Sequence, residues 1–469
     1  MKLLTKLFCA ITFVLTACST LGPDYHRPQF DTPQKLTVTT KIPKTPANEM
    51  DWWKSFQDSA FDNLLAEAEK NNQELKLAIA RIEEASGILA VTRSDSAPSV
   101  DATISAYRNR RSENTSQSFS NQTPVNRNIR AGLNASYELD LWGKLRRASE
   151  ADRAHLLAQQ ANSEAVRITL STQIAQNYFA LRATDEQLSL IEAAVKTRQD
   201  SIRLQKKRFS AGIIHQATLH QAEAELAATE INLQQRQQTQ AQLASALAVL
   251  LGRTPSEITH PMITRGKSIT ALHQKLTIPK LSSDLFNHRP DLIAAEQNLV
   301  AANANIGQAK TLFFPAISLT AGTGYESQAL KNLIDPASLL WNIGASLAQP
   351  IYHHGSVKGV TAAAQARKNQ ALAQYIQAVQ NAFRDTHDAL AHISANEKIF
   401  EAKKTLLSSA QDTLHLTELR YRSGYSSLLE PLEAKQHALQ AQSNLIDAQY
   451  DQLVSVVSLY KAVGGHWEK

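Results

Sequence analysis

Residues 129–143 read IRAGLNASYELDLWG, from Ile129 to Gly143. Ile129, Ala131, Leu133, Ala135, Tyr137 and Leu139 alternate with Arg130, Asn134, Ser136 and Glu138. A period of two puts all the apolar side chains of a strand on one face. The run has about the 9–11 residues that a tilted membrane strand needs. It closes on a glycine, and no proline occurs from residue 125 to residue 254.

Three more runs share the pattern. Val100, Ala102, Ile104 and Ala106 alternate with Asp101, Thr103 and Ser105; Ile317, Leu319 and Ala321 with Ser318 and Thr320; Trp341, Ile343, Ala345 and Leu347 with Asn342, Gly344 and Ser346. They fall into two pairs because the chain is a tandem duplication. Gly143, Gly212 and Gly252 recur as Gly355, Gly424 and Gly464 at an offset of 212, and Leu75 and Pro98 recur as Leu292 and Pro315 at 217. The first copy therefore holds five additional residues between Pro98 and Gly143, in a long polar loop between Arg108 and Asn128. An ordinary soluble sheet would show the same alternation, but the flanking segments read as helix and supply no second sheet to cover the apolar face. Four strands cannot close a barrel in lipid, since the smallest bacterial barrels need about eight, so such a pore is shared between chains.

Beyond Gly143 the period becomes seven. Ile174, Leu181, Leu188, Val195, Ile202 and Phe209 form one row, and Leu372, Val379, Thr386, Ile393, Phe400, Leu407, Leu414 and Tyr421 form its counterpart. The return segments keep it, with Leu219, Leu226, Leu233 and Leu247, then Leu432, Leu439, Ile446, Leu453 and Tyr460. A sustained heptad means coiled-coil seams and not the drifting stripe of a globular helix. A helix over residues 144–208 is roughly 100 Å long at 1.5 Å per residue. Charge at Leu188 should damage the seam, whereas Glu186 is expected to face solvent. Arg208, Gly212, Arg420 and Gly424 mark two turns where glycine ends one helix before the next begins.

The N-terminal residues have the layout of a bacterial export leader, with Lys2 and Lys6 ahead of Phe8, Ile11, Phe13, Val14 and Leu15. Leu15-Thr16-Ala17-Cys18 resembles a lipobox, which makes Cys18 the acylated first residue of the mature chain and residues 1–17 a signal peptide. Ser19 stands where an inner-membrane retention signal would have Asp, so the protein is expected at the outer membrane. Cys9 lies in the leader, so no disulfide scaffold is available. An acyl anchor holds a chain to lipid without making a pore. Formal net charge is +6, of which Lys2 and Lys6 contribute two, and acids and bases interleave along the helices. That is a solvated helix surface and no nucleic-acid footprint. No apolar run after the leader reaches transmembrane-helix length, so a membrane crossing has to use strands.

Nothing points to catalysis or a cofactor: there is no P-loop, no G-x-S-x-G elbow, no H-E-x-x-H and no dinucleotide fingerprint. Gly322-Thr323-Gly324-Tyr325 reads as close packing within a strand, and His353-His354 as a polar rim at a strand-to-helix junction. A non-conducting lipoprotein tether would keep the lipobox and heptads but has no use for four membrane strands.

Several blocks resemble the TolC-like outer-membrane efflux proteins, and within them the NodT-type lipoprotein branch with its OprM-like channels. These are Gly22-Pro23-Asp24-Tyr25-His26-Arg27-Pro28, Trp52-Trp53 with Phe56, Asn72 with Leu75 and Ala78-Ile79-Ala80-Arg81, Tyr137 to Gly143, Arg289-Pro290-Asp291-Leu292, Phe314 to Leu319 and Gly464-Gly465. Their order and spacing carry the likeness over nearly the whole chain.

The resemblance implies a mainly α protein with a transmembrane β portion: a homotrimer with a twelve-stranded β-barrel, four strands per chain, continued by a coiled-coil α-helical barrel. On that plan residues 18–70 are the lipidated N-terminal and equatorial part, residues 71–254 the first repeat and residues 289–469 the second. Within them lie hairpins at about 99–140 and 316–351, long helices at about 144–208 and 356–421, and return helices at about 214–250 and 427–462. Residues 255–288 form the equatorial segment between repeats. The implied partners are outer-membrane lipid, a periplasmic membrane-fusion adaptor and an inner-membrane transporter of the resistance-nodulation-division type. The implied role is efflux, antibiotic resistance included, with the export channel of a type I secretion system as the alternative.

Members of this family often carry two aspartates six and nine residues after the second tip glycine. Here Glu430 and Glu433 hold those places, one helical turn apart, and three copies would ring the periplasmic entrance with negative charge. Ser427 and Glu430 also read as a capping box. The salt-bridge lock of some members is missing, because Thr218 and Ser426 stand at its positions. Tyr421 matches a gate tyrosine, and Arg208, Gly212, Arg420 and Gly424 become the tips that meet the adaptor. Intact-mass analysis of the membrane-extracted protein should find diacylglycerol and an N-acyl chain on Cys18; an unmodified N-terminus beyond Cys18 would refute the lipobox.

Overall fold

The computed structural model describes residues 20–29, 44–45, 52–110, 112, 125–273, 278–279, 289–427 and 429–464. Cys18 and the leader lie outside them. The elements run β1 (Lys44–Thr45), α1 (Ser59–Asn71), α2 (Gln73–Ser94), β2 (Ser99–Arg110), β3 (Val125–Leu139), α3 (Lys144–Ser210) and α4 (Gln216–Leu250). After α5 (Pro255–Thr259), α6 (Ile269–His273) and β4 (Ile278–Pro279), the plan repeats as α7 (Pro290–Thr311), β5 (Ala316–Ser327), β6 (Leu339–Ala348), α8 (Ser356–Arg422) and α9 (Leu429–Ala462). Helices α3 and α8 have 67 residues each. All six glycines matched at the 212-residue offset sit at positive φ, between 70° and 81°. That region favours glycine, so the same turn geometry is built twice.

The chain forms two compact units, each drawing on both repeats. One contains residues 1–29, 81–160 and 294–376. Here β2, β3, β5 and β6 make an antiparallel sheet in that order. A strap, residues 20–29, is fastened below it by Arg147, which is 4% exposed. The guanidinium donates to Leu21 O (3.2 Å), Asp24 Oδ1 (2.8 Å) and Glu150 Oε2 (2.8 Å). This pairing holds the Asp24 carboxyl below its usual range. Asn303 Nδ2 donates to Pro23 O at 2.7 Å. The strap crosses α7 glycine on glycine: a Cβ on Gly22 would lie 2.4 Å from Gly307 Cα.

The other unit contains residues 30–80, 161–293 and 377–469. Its core gathers Phe56, Phe61, Tyr178 and Phe179, with Phe61 stacked on Tyr178 at 5.2 Å and Phe56 edge-on to Phe179 at 5.1 Å. Asp58, 2% exposed, organises it. The carboxylate caps α1 by accepting from Ala60 N at 3.0 Å, and it also accepts from Tyr178 Oη (2.7 Å) and Lys267 N (3.0 Å). A buried carboxylate is tolerated when donors saturate it, as they do here. Burial and the neighbouring Asp58 push the Tyr178 hydroxyl up, so it stays a donor.

The duplication persists here with changed chemistry. Asn72 Nδ2 donates to Leu250 O at 2.8 Å; 212 residues after Leu250, Ala462 O accepts from Arg289, which is also paired with Asp291. The glycine after each acceptor leaves no space for a side chain, since a Cβ on Gly252 would meet Asn71 O at 2.3 Å and one on Gly464 would meet Arg289 Cα at 3.0 Å.

Along α3 the heptad row is buried from Ile174 through Leu181, Leu188, Val195 and Ile202, but Phe209 at the tip is 40% exposed. Glu186, expected to face solvent, is half-buried and accepts from Thr270 Oγ1 at 3.4 Å. The exposed neighbour of Leu188 is Ser189. Leu188→Asp should cost several kcal/mol, because it puts an unpaired charge into the seam, whereas Ser189→Asp should stay within about 0.5 kcal/mol. Urea unfolding followed by circular dichroism checks the contrast, and equal losses would mean the register is wrong. Asp58→Ala should cost about 3 kcal/mol by stranding the Tyr178 hydroxyl and uncapping α1, read in the same assay.

Candidate barrel wall and tunnel entrance

Two kinds of duplicated hairpin, one of strands and one of helices, make up the candidate site. At the sheet, the register runs without a bulge: Val100 faces Ala135, Ala135 faces Ala321, and Ala321 faces Ile343. Alternation therefore sorts the sheet into two faces. One carries Ile104 at 84% exposure, Trp341 at 73% and Ile343 at 81%, together with Val100, Leu133 and Leu347. So large an uncovered apolar surface belongs against lipid. The opposite face is polar and internally bonded: Ser99 with Ser136 (2.8 Å), Asn134 Nδ2 to Thr103 Oγ1 (3.0 Å), Asn128 Nδ2 to Tyr107 Oη (2.8 Å), and Arg130 with Glu326 (3.9 Å). Gly132 and Gly324 lie opposite each other on this side, where a Cβ on Gly324 would come within 2.3 Å of Ala131 O. The close approach expected of Gly322-Thr323-Gly324-Tyr325 is thus observed, and it permits a tight curl.

Among the described residues, β2 and β6 pair on one side only, and no helix is long and apolar enough to cross a membrane. In hydrocarbon those two edges need partners from outside the chain. At the helix end of the sheet, Trp142 packs on Phe314 at 4.8 Å and donates from Nε1 to Pro315 O at 2.8 Å. Amphipathic rings suit a membrane interface. Of the two histidines at the second junction, His354 has φ +46° and its Nδ1 lies 3.3 Å from Tyr352 Oη. No three metal-ligating side chains converge among the described residues.

In the helical hairpins, both helix tips close in the same way. Ile213 N donates to Arg208 O and Tyr425 N to Arg420 O, each at 2.9 Å, with Gly212 and Gly424 left-handed between them. This is the six-to-one bond of a Schellman turn. A Cβ at either glycine would meet nothing within 4 Å, so only the backbone conformation demands glycine there.

The structure brings four of the expected site residues together in two pairs. Arg208 Nη1 donates to Tyr421 Oη at 3.0 Å, joining the tip of α3 to the tip of α8. Arg420 Nη1 lies 3.5 Å from Glu430 Oε2, both partly exposed. Glu433 is exposed and forms no ion pair among the described residues. Among the described residues, Thr218 and Ser426 form no lock, and the Ser426 hydroxyl is buried without a hydrogen-bond partner. The capping-box alternative turns on Leu428, which lies outside the described residues; α9 is described from Leu429. Glu430 faces Arg420. Neither pair was visible in sequence, although the offset that aligns Arg208 with Arg420 and Phe209 with Tyr421 carries a signal: only the second copy has a tip hydroxyl.

A model of the outer membrane efflux protein family matches residues 64–253 and 281–465. The cation efflux system protein CusC of Escherichia coli is 33% identical over 463 residues, covering 98% of each chain. The probable outer membrane lipoprotein SilC of Salmonella typhimurium is 32% identical over 459 residues, covering 97% of each. Among solved structures, the Campylobacter jejuni CmeC outer membrane channel superimposes with a TM-score of 0.88 at 26% identity, over 95% of each chain.

Proposed function

The chain belongs to the outer membrane efflux protein family, and from that premise we propose how this outer-membrane efflux channel assembles, docks and gates. The carrying observation is a sheet with one exposed apolar face and two unpaired edges, continued by a pair of 67-residue helices. Three copies close the edges of β2 and β6 into a twelve-stranded barrel whose polar face lines the lumen. The helices, each about 100 Å long, carry the passage across the periplasm. The tips at Arg208, Gly212, Arg420 and Gly424 meet a periplasmic membrane-fusion adaptor, which couples the channel to an inner-membrane transporter of the resistance-nodulation-division type. Cys18 carries the lipid that holds the assembly to its membrane.

The entrance is held closed by the tip bond between Arg208 and Tyr421. One such bond is worth about 1 kcal/mol net, and three copies about 3 kcal/mol, which leaves on the order of one channel in a hundred open. The exposed pair of Arg420 with Glu430 adds little to this, since surface ion pairs contribute about 0–1 kcal/mol. Its effect is on charge: it compensates Glu430 within the protomer and leaves Glu433 as the uncompensated carboxylate at the mouth.

The purified protein should run as an SDS-resistant, heat-dissociable trimer and conduct in a planar bilayer; a monomer without conductance would overturn the channel assembly. Tyr421→Phe should raise the open probability more than tenfold at unchanged trimer stability. Glu430→Gln combined with Glu433→Gln should lower cation selectivity and weaken divalent block from the periplasmic side, most of it reproduced by Glu433→Gln alone. Unchanged reversal potential and block in an intact trimer would remove both glutamates from the gate.

A further inference from the structure

At the end of the sheet away from the helices, the lipid-facing surface stops being apolar. On β2 the face runs Val100, Ala102, Ile104, Ala106 and then Arg108; on β3 it runs from Leu139 through Tyr137, Ala135, Leu133, Ala131 and Ile129 to Arg127. The stretch from Leu139 to Ile129 spans about 34 Å along the strand, and about 26 Å along the membrane normal at a tilt of about 40°. That is close to the ~25 Å apolar band of an outer-membrane barrel. Arg108 and Arg127 are the next outward positions on their strands, and the register sets them directly opposite each other.

Directly opposed like charges destabilise a strand pair. Neither arginine forms an ion pair among the described residues, and both are exposed. The polar face handles the same residue type differently: Arg130 is paired with Glu326, which also accepts from Asn128 Nδ2. The loop between the two strands offers no surplus acid, because residues 111–124 contain one acid, Glu113, and one base, Arg111. An outward arginine pair at the rim of an apolar band is therefore open to an anion from the membrane. Guanidinium groups bind phosphate in forked, charge-assisted pairs, and their long stems lie along apolar surface while the head reaches the headgroup level.

We propose that Arg108 and Arg127 together bind a phosphate group of the phosphorylated glycolipid of the outer leaflet, fixing the barrel's depth and orientation in that leaflet. The site rests on reading the sheet as a barrel wall, and it is separate from the acyl anchor and the entrance.

The test uses the full-length trimer in detergent, titrated with bisphosphorylated lipid A, monophosphoryl lipid A or phosphatidylglycerol. The readouts are lipid retained in native mass spectrometry and the melting temperature of the trimer. Bisphosphorylated lipid A should bind and raise the melting temperature, and Arg108→Gln combined with Arg127→Gln should weaken its binding by about tenfold or more. The double lysine variant keeps the charge without the fork and should fall between. Equal lipid A binding by wild type and the glutamine variant would overturn the proposal. So would phosphatidylglycerol binding as tightly as lipid A, because the pair would then be reading negative charge alone. Conductance of the same samples separates the two readings: a conducting wild-type trimer that retains no lipid A sinks this site only, whereas failure to form a conducting trimer sinks the barrel reading and this site with it.

Discussion

Backbone amides and carbonyls inside hydrocarbon have no water to bond, and each one left unpaired costs several kcal/mol. The sheet meets that constraint on its inner ladders and leaves it unmet along one side each of β2 and β6. The rest of the chain can be understood as support for closing those edges outside the protomer. Pairing without a bulge keeps the faces from exchanging, since a slip of one residue would turn Ile104 and Trp341 inward and Asp101 and Asn342 out. Glycines on the polar side let the sheet curl, and Gly143 and Gly355, both left-handed, release the chain from strand to helix.

Away from the membrane, the fold is fastened by a few buried polar groups saturated with partners. Asp58 draws the start of α1, the middle of α3 and the segment before α6 onto one carboxylate. Arg147 does the same for the strap and α3. Such groups add little net free energy, but removing one partner leaves the others stranded, so they enforce one arrangement among many that the repetitive leucine and alanine seams would tolerate. The matched seats of Asn72 and Arg289 show how far the two copies have diverged: the carbonyl they hold is equivalent, while one holder is a neutral amide and the other an ion-paired guanidinium.

Periodicity made much of this legible. Alternation at Ile129 to Leu139 and heptads at Ile174 to Ile202 depend only on which residues repeat, and the six offset glycines marked real left-handed turns. What escaped were pairings across large separations. Nothing local distinguishes Asp58 from any other helix-capping acid, and Tyr178, its partner, reads as one more core aromatic. At the tips, the sequence singled out Arg208, Tyr421, Arg420 and Glu430 without their partnerships, because which side chains meet depends on the crossing of α3, α8 and α9. Glu186 looked solvated by heptad position, but a segment outside the heptads, carrying Thr270, covers it.

The crossing of Gly22 over Gly307 also places the chain's parts in time. Residues 20–29 have no secondary structure of their own; among what holds them are Arg147, Asn303, Glu296, which pairs with Tyr25 and Arg27, and the notch at Gly307. The notch exists only when α7 has formed, and α7 lies in the second repeat. Residues 20–29 are therefore made well before their seat exists, since nearly three hundred residues separate Gly22 from Gly307. Docking of the strap records that both halves of the duplication have arrived.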